Sequence, residues 1–370
     1  MDASRSADCW VEAEDLEEGD RDVLELDRRG VLHGGVRVAE GTSRAELNSE
    51  RLAQEARAAW AEARPIHLPA VLSADVRARR PELRTSAKLF ERMRREGSFQ
   101  DEIWGRLEGD ERFEPAGVSV DLGDEREIEK VFANRVNDED PGGKKAARDL
   151  YAKLSWISHD ERDSSLRVRF SFGAEALMEW QTETERAPHA DDYAAAVFPE
   201  CSVLTGNASL FELIELCVGT RVRASERIVY NNAPGGGAVF HNDAEPHQLG
   251  VVYGQFEGAT GWLALPKLEL AAELVGFLAG SDHAERAPDV PRAAAWLAEG
   301  DEDPLLLQLL NHTPAFTRQL VARGDFVHLR AGDVLLLPSP EVERACWHSV
   351  FALGEKPSLA HSYGLFAVER

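Results

Sequence analysis

Basic residues are in short supply in this chain. Lys and Arg number 42 against 66 Asp and Glu in 370 residues, a formal net charge of −24. A surface that neutralises nucleic-acid phosphates needs the opposite sign, so DNA and RNA are not expected as partners. Cysteine is scarcer still. Cys9, Cys201, Cys217 and Cys346 are scattered, without the spacing of a disulfide framework or a zinc knuckle, which suits a reducing cytoplasm. No apolar run approaches the roughly eighteen residues of a membrane-spanning helix, so no membrane association is expected. The opening stretch, MDASRSADCWVEAEDLEEGD, is acidic where a secretory signal or transit segment would be basic. Apolar residues, by contrast, make up 43% of the chain, enough for a core and too many for a disordered polymer.

Residues 1–40 read as an acidic lead-in, and residues 41–150 as a mainly helical N-terminal region. Ser43 and Glu46 have capping-box spacing, and Leu52, Ala56 and Ala59 form an apolar stripe beside Trp60. A second helical tract runs from Ser86 to Leu107, with Gly97 as its weak point, and the Pro141-Gly142-Gly143 turn breaks the mixed stretch beyond it. The period then changes to two. Leu166, Val168, Phe170 and Phe172 alternate with Arg167, Arg169 and Ser171, as in a half-buried strand. Further strands are expected at 228–230, 249–256, 262–265, 326–329, 334–337, 347–353 and 359–368, separated by Gly, Pro and Asp turns. Residues 151–370 therefore read as a β-sandwich or barrel domain, interrupted at about 268–322 by an Ala- and Leu-rich helical insertion. Pro291 and Pro304 suit first helical turns, and Pro314 kinks or divides the last helix.

The sharpest chemical signal is Gly235-Gly236-Gly237-Ala238-Val239-Phe240-His241-Asn242-Asp243. Residues two apart on a strand face the same way, so His241 and Asp243 can converge on one point. One imidazole and one carboxylate are two-thirds of the set that holds non-haem Fe(II) with coordination positions open. Cys346-Trp347-His348-Ser349-Val350 offers a third ligand, His348, on another strand. His159-Asp160 has no third partner at a definable spacing.

Residues 228–366 resemble the double-stranded β-helix, or jelly roll, of the cupin superfamily, and specifically the JmjC-like Fe(II)/2-oxoglutarate dioxygenases. Gly235, five residues and His241-Asn242-Asp243 match the first cupin segment; Gly332, five residues and Pro338, with His348 beyond, match the second. The stretch GDVLLLPSPEVERACWHSV is similar to the JmjC-like closing segment apart from a few extra residues, and Tyr253–Gly258 with Trp262–Pro266 resembles the strand pair between the ligand segments. The match spans somewhat over a third of the chain and leaves most of the N-terminal half unexplained. The resemblance implies a mainly β fold with an N-terminal helical region and a helical insertion in the barrel. It implies Fe(II) held by His241, Asp243 and His348, with 2-oxoglutarate as co-substrate. Hydroxylation of an unactivated C–H would then yield succinate and CO2. Because halogenases of the wider superfamily lack the carboxylate, Asp243 points to hydroxylation or a related oxidation.

At the co-substrate anchor the sequence departs from that pattern. The window in which JmjC-like enzymes place a lysine is Phe256 to Thr260 and holds no base; other branches place an arginine where Ser358 stands. Thr260 can donate a hydrogen bond, and Lys267, Lys356, Arg227 and Arg344 are the nearest bases in sequence. A dicarboxylate in a dry cleft needs a charged partner. His247 and Gln248 fall close to a position near the co-substrate in related enzymes, and Tyr253 and Gln255 line the pocket if their side of the strand is the interior. Tyr230, Asn232, His361, Tyr363 and Cys346 have packing and pocket readings alike, while Trp347 is expected to face away from the metal. Three readings stay open: a cytoplasmic Fe(II)/2-oxoglutarate oxygenase acting on a small molecule, an amino acid or a peptide side chain; an iron cupin dioxygenase that does not use 2-oxoglutarate; and a non-enzymatic cupin-fold binding protein. The helical segments are available to cap the barrel mouth or to form a homodimer interface.

Overall fold

A computed structural model describes residues 36–37, 49–95, 97–120, 126–137, 145–158, 161–171, 183–281, 284–299 and 309–368. The acidic lead-in apart from residues 36–37, the Ser43–Glu46 capping box, the Pro141 turn, His159-Asp160, Phe172 and Pro304 lie outside the described residues.

The N-terminal helices are α1 (Glu50–Ala61), α2 (Ser73–Ala78), α3 (Arg80–Met93) and α4 (Phe99–Leu107). In α1, Ala56, Ala59 and Trp60 share the buried face that the apolar stripe predicted. The second predicted tract is split at Gly97 into α3 and α4. Ser98 begins α4 by accepting a hydrogen bond from the Asp101 amide at its hydroxyl. Three further helices, α5 (Glu183–Val197), α6 (Ser202–Thr205) and α7 (Ala208–Val218), precede the strands of the C-terminal half.

The strands are β1 (Val36–Arg37), β2 (Ile66–Leu68), β3 (Phe113–Ser119), β4 (Glu127–Arg135), β5 (Ala147–Trp156), β6 (Leu166–Ser171), β7 (Val222–Asn232), β8 (Gly237–His241), β9 (Gln248–Glu257), β10 (Ala259–Pro266), β11 (Phe326–Arg330), β12 (Val334–Pro338), β13 (Cys346–Ala352) and β14 (Ser358–Ala367). They form a ten-stranded sheet in the order β1-β2-β12-β9-β14-β7-β6-β5-β4-β3 and a four-stranded sheet in the order β11-β10-β13-β8. Among these described strands, all pairings are antiparallel except β1 with β2.

Residues 113–156 thus contribute β3, β4 and β5, against the mainly helical reading of 41–150, and the boundary at 150 falls inside β5. Their period-two signal is weak in sequence. On β3 only Phe113 is buried, and on β4 the buried set is Val131 and Ala133 with the charged Glu127 and Arg135.

The alternation on each strand sorts side chains into three cores. Helices α1 to α7 cover the back of the large sheet, where Leu89, Phe90, Phe99, Phe170, Tyr193, Phe198, Val252, Phe256 and Tyr363 are buried together. Helices α8 (Lys267–Ala279), α9 (Val290–Glu299) and α10 (Pro314–Arg323) form the insertion and cover the outer face of the small sheet. There Leu270, Leu274, Trp296, Phe316 and Leu320 meet Phe240, Leu263, Leu265 and Trp347. Pro291 lies in the first turn of α9, and Pro314 opens α10 after a break at Thr313, dividing it from helical residues 309–312. The third core lies between the sheets and joins Val251, Tyr253, Leu335, Leu337 and Ala360 of the large sheet to Trp262, Ala264, Val327, Leu329 and Cys346 of the small one.

From β7 onward the chain passes between the two sheets as large, small, large, small, small, large, small, large. The result is a mixed α/β fold with two multi-stranded sheets and several helices, broadly cupin- and JmjC-like. Neither sheet closes on itself among the described residues, so the double-stranded β-helix expectation is met in this coarser form.

Candidate metal centre

The Gly-rich turn delivers the chain into β8 at close quarters. A Cβ on Gly237 would lie 2.0 Å from the Val350 carbonyl oxygen, and one on Gly236 would lie 2.0 Å from Asp163 Oδ1. Asp163 and Ser165, from the loop before β6, hold this turn from the other side. The Gly237 amide donates to Asp163 Oδ2 at 2.9 Å, and the Ala233 amide donates to Ser165 Oγ at 2.8 Å. Neither residue stood out in the sequence, because the contact spans some seventy positions.

β8 then pairs with β13 so that His241 stands opposite His348. The two imidazole centroids are 4.3 Å apart. Asp243, just past the end of β8, approaches both: its Oδ1 is 3.6 Å from His241 Nε2 and its Oδ2 is 3.4 Å from His348 Nε2. One ligand atom from each of the three residues lies within 4.8 Å of the other two. Each ring's second nitrogen is engaged elsewhere. Nδ1 of His241 is 2.8 Å from the Val239 carbonyl and Nδ1 of His348 is 3.2 Å from the Cys346 carbonyl. A proton on each Nδ1 satisfies those carbonyls and leaves both Nε2 lone pairs facing Asp243, the arrangement that orients histidine metal ligands.

The electrostatics suit a cation. His241 is pushed down to about 4, first by desolvation and then by His348, against the pull of Asp243. Desolvation acts upward on Asp243, yet His348 and His241 together hold its carboxyl well below the usual carboxylate range. Two imidazoles beside an ionised carboxylate form a 2-His-1-carboxylate set that fits a mononuclear metal ion such as Fe(II). The site is asymmetric: the His348 side chain is 3% exposed, whereas those of His241 and Asp243 are 38% and 36% exposed. The inner side is walled by Trp262, whose ring centroid is 5.4 Å from that of His348, and by Tyr253, 4.6 Å from Trp262.

The remaining sequence candidates are sorted by the strands they occupy. Tyr253 and Gln255 do share the inner side of β9, but Gln255 and Thr260 are bound to one another. Thr260 donates to Gln255 Oε1 at 2.7 Å and accepts from Trp262 Nε1 at 2.9 Å. Lys267 is buried and bonded to Glu343 at the start of α8. Lys356 is exposed in the turn between β13 and β14, and His247 is exposed in the turn before β9 with φ of 66°. None of these three reaches the triad through a described contact. Gln248, which the sequence left open, is buried and donates to the Asp243 backbone carbonyl at 2.5 Å and to Ser339 Oγ at 3.3 Å. Tyr230 also lies on the inner side, 5.7 Å from Tyr253 between ring centroids, and its hydroxyl accepts from Ser362 Oγ at 3.1 Å. Burial and then the nearby Asp243 push the Tyr230 phenol up to about 12. His361 and Tyr363 point to the back core, Cys346 to the inner one, and Trp347 to the insertion helices.

No family model matches the chain, and no curated protein matches it. Among solved structures, it is similar to an oxidoreductase of the 2OG-Fe(II) oxygenase family from Burkholderia pseudomallei, at 13% identity and a TM-score of 0.33, covering 90% of this chain and 94% of that one. It is also similar to YcfD, a ribosomal oxygenase from Escherichia coli, at 15% identity and a TM-score of 0.25, covering 74% of this chain and 44% of that one. The chain thus matches less than half the length of YcfD. Scores this low carry no function across, so the strands and the triad alone support a functional reading.

Proposed function

We propose that the protein is an Fe(II)/2-oxoglutarate-dependent oxygenase that hydroxylates a C–H bond of a small molecule, an amino acid or a peptide side chain. The observation that carries this reading is the convergence of His241, Asp243 and His348 from two strands and a loop onto one point. His241 Nε2, His348 Nε2 and an Asp243 carboxylate oxygen would hold the ion, and the ion would supply the O2 chemistry that side chains lack. The protein's own part is positional. The Val239 and Cys346 carbonyls fix the two rings, Gln248 fixes the backbone of Asp243, and Trp262 with Tyr253 excludes water from the inner side. Ligands enter over the exposed edges of His241 and Asp243. Residues 151–370 remain the catalytic domain in this reading, in a cytoplasmic protein, with the helical segments available for capping or for a homodimer interface.

A second reading, an iron oxygenase that does not use 2-oxoglutarate, is favoured by one observation: the anchors expected from sequence are engaged or remote, Lys267 with Glu343 and Thr260 with Gln255. Anaerobic titration of Fe(II) into wild type and His348→Ala, with and without 2-oxoglutarate, separates the two. A weak visible charge-transfer band that needs both additions and disappears in His348→Ala supports the first reading. Stoichiometric iron without that band supports the second. No iron bound by wild type overturns both.

A further inference from the structure

Among the described residues, the packed core between the sheets offers no cation to a dicarboxylate. Its members are apolar or aromatic, and the polar groups at its edge, Gln255 and Thr260, satisfy each other. The bases nearest in sequence are spoken for or remote: Lys267 is held by Glu343, Arg227 by Asp191 at 2.8 Å and Arg344 by Glu341 at 3.5 Å on the exposed surface, while Lys356 is exposed in the turn between β13 and β14. Arg227 also lies over the Tyr363 ring, on the back of the large sheet.

Strand β6 supplies what these lack. Val168 and Phe170 enter the back core, so by alternation Arg167 and Arg169 face the other way, the side on which Tyr230 lies. Arg167 is the direct register partner of Tyr230. Arg169 reaches Glu245, two residues past Asp243, at 3.5 Å, so this face of β6 adjoins the loop that carries the carboxylate ligand. Arg167 is half-buried and its Nε donates to Ser155 Oγ at 3.1 Å, which fixes the guanidinium. Its terminal nitrogens make no hydrogen bond among the described residues. The positive charge is felt at the Tyr230 hydroxyl on the neighbouring strand. A fixed guanidinium with its fork unspent is the group best shaped to take a carboxylate through two parallel hydrogen bonds.

We propose that Arg167 receives the distal carboxylate of a bound 2-oxo dicarboxylic acid, from the strand beside the site and not from the strands that enclose the inner core. This rests on the metal-oxygenase reading of the triad and deepens it. It places the anchor outside the Phe256–Thr260 window, at the residue that alternates with the back core of β6.

The test uses the full chain loaded with Co(II), titrated calorimetrically with 2-oxoglutarate and with 2-oxovalerate, which has the same 2-oxo acid head and no distal carboxylate. Wild type is expected to prefer 2-oxoglutarate by about tenfold or more, the scale of one charge-assisted bidentate pair. Arg167→Gln is expected to abolish that preference, Arg167→Lys to retain part of it, and both to leave Co(II) and 2-oxovalerate affinities unchanged. Preference retained in Arg167→Gln overturns the proposal, as does a wild type that binds Co(II) without discriminating between the two acids. Equal loss of Co(II) and both acids in Arg167→Gln also overturns it, by showing a structural role. Failure of wild type to bind Co(II), or equal binding by His348→Ala, overturns the metal reading itself.

Discussion

At the scale of single residues, the site depends on groups that never touch the ion's expected position. His241 and His348 each surrender Nδ1 to a backbone carbonyl two residues away, on their own strands. That pattern is local, so an HxD turn and a distal Trp-His are legible in sequence. Gln248 is different. It reaches back to the Asp243 carbonyl across a turn and onward to Ser339, a contact 91 positions away. Removing it should loosen the carboxylate ligand without removing any donor. Gln248→Ala is expected to weaken Co(II) or Fe(II) binding by about tenfold, at the lower end of the effect of losing a ligand's outer support. Calorimetric metal titration of the variant checks this; unchanged affinity would show that Asp243 is positioned by other contacts.

At the scale of elements, the decisive event is the pairing of β8 with β13. His241 and His348 are opposite one another only in the observed register, and a bulge between His348 and Val350 separates that pair from the Ala238–Val350 and Gly237–Phe351 pairs. Gly237 permits the approach because any side chain there would enter the Val350 carbonyl. Gly237→Ala should therefore part the strands at the end that feeds the triad. It is expected to cost about 2 kcal/mol or more of stability, as overpacking of a close contact does, and to abolish tight metal binding. Urea unfolding and metal titration of the same variant test both parts. Most strands from 228 onward were readable because apolar residues alternate between well-marked turns, whereas residues 222–227 of β7 were not marked. β3 to β5 were not, since their exposed faces carry charge and their buried faces include Arg135 and Glu127, which mask the period.

At the scale of the whole molecule, the helical insertion is a wall and not an ornament. Its core takes in Phe240, next to His241, and Trp347, next to His348, so the sheet that presents both histidines is backed by α8, α9 and α10. Phe316 is fully buried there, 5.5 Å from Phe277 between ring centroids. Phe316→Ala is expected to cost about 3–5 kcal/mol and to lower metal affinity as well, because the cavity lies behind the ligand strands. Chemical denaturation with metal titration measures the two effects together; a large loss of stability with intact metal affinity would show the sheet to be self-supporting.

The sequence by itself determined the His241, Asp243 and His348 set, most of the C-terminal strands and the insertion. Each is written over a few adjacent residues: an alternation, a Gly-rich turn, a helix-starting proline. Only the tertiary structure decided which groups surround the triad. It set Asp163 and Ser165 under the glycine turn, directed Lys267 to Glu343, and placed Arg167 on the site's side of β6. Those outcomes depend on which strands become neighbours and which face each one turns inward. Burial of the three cores fixes both for the whole sheet at once, through contacts far apart in the chain.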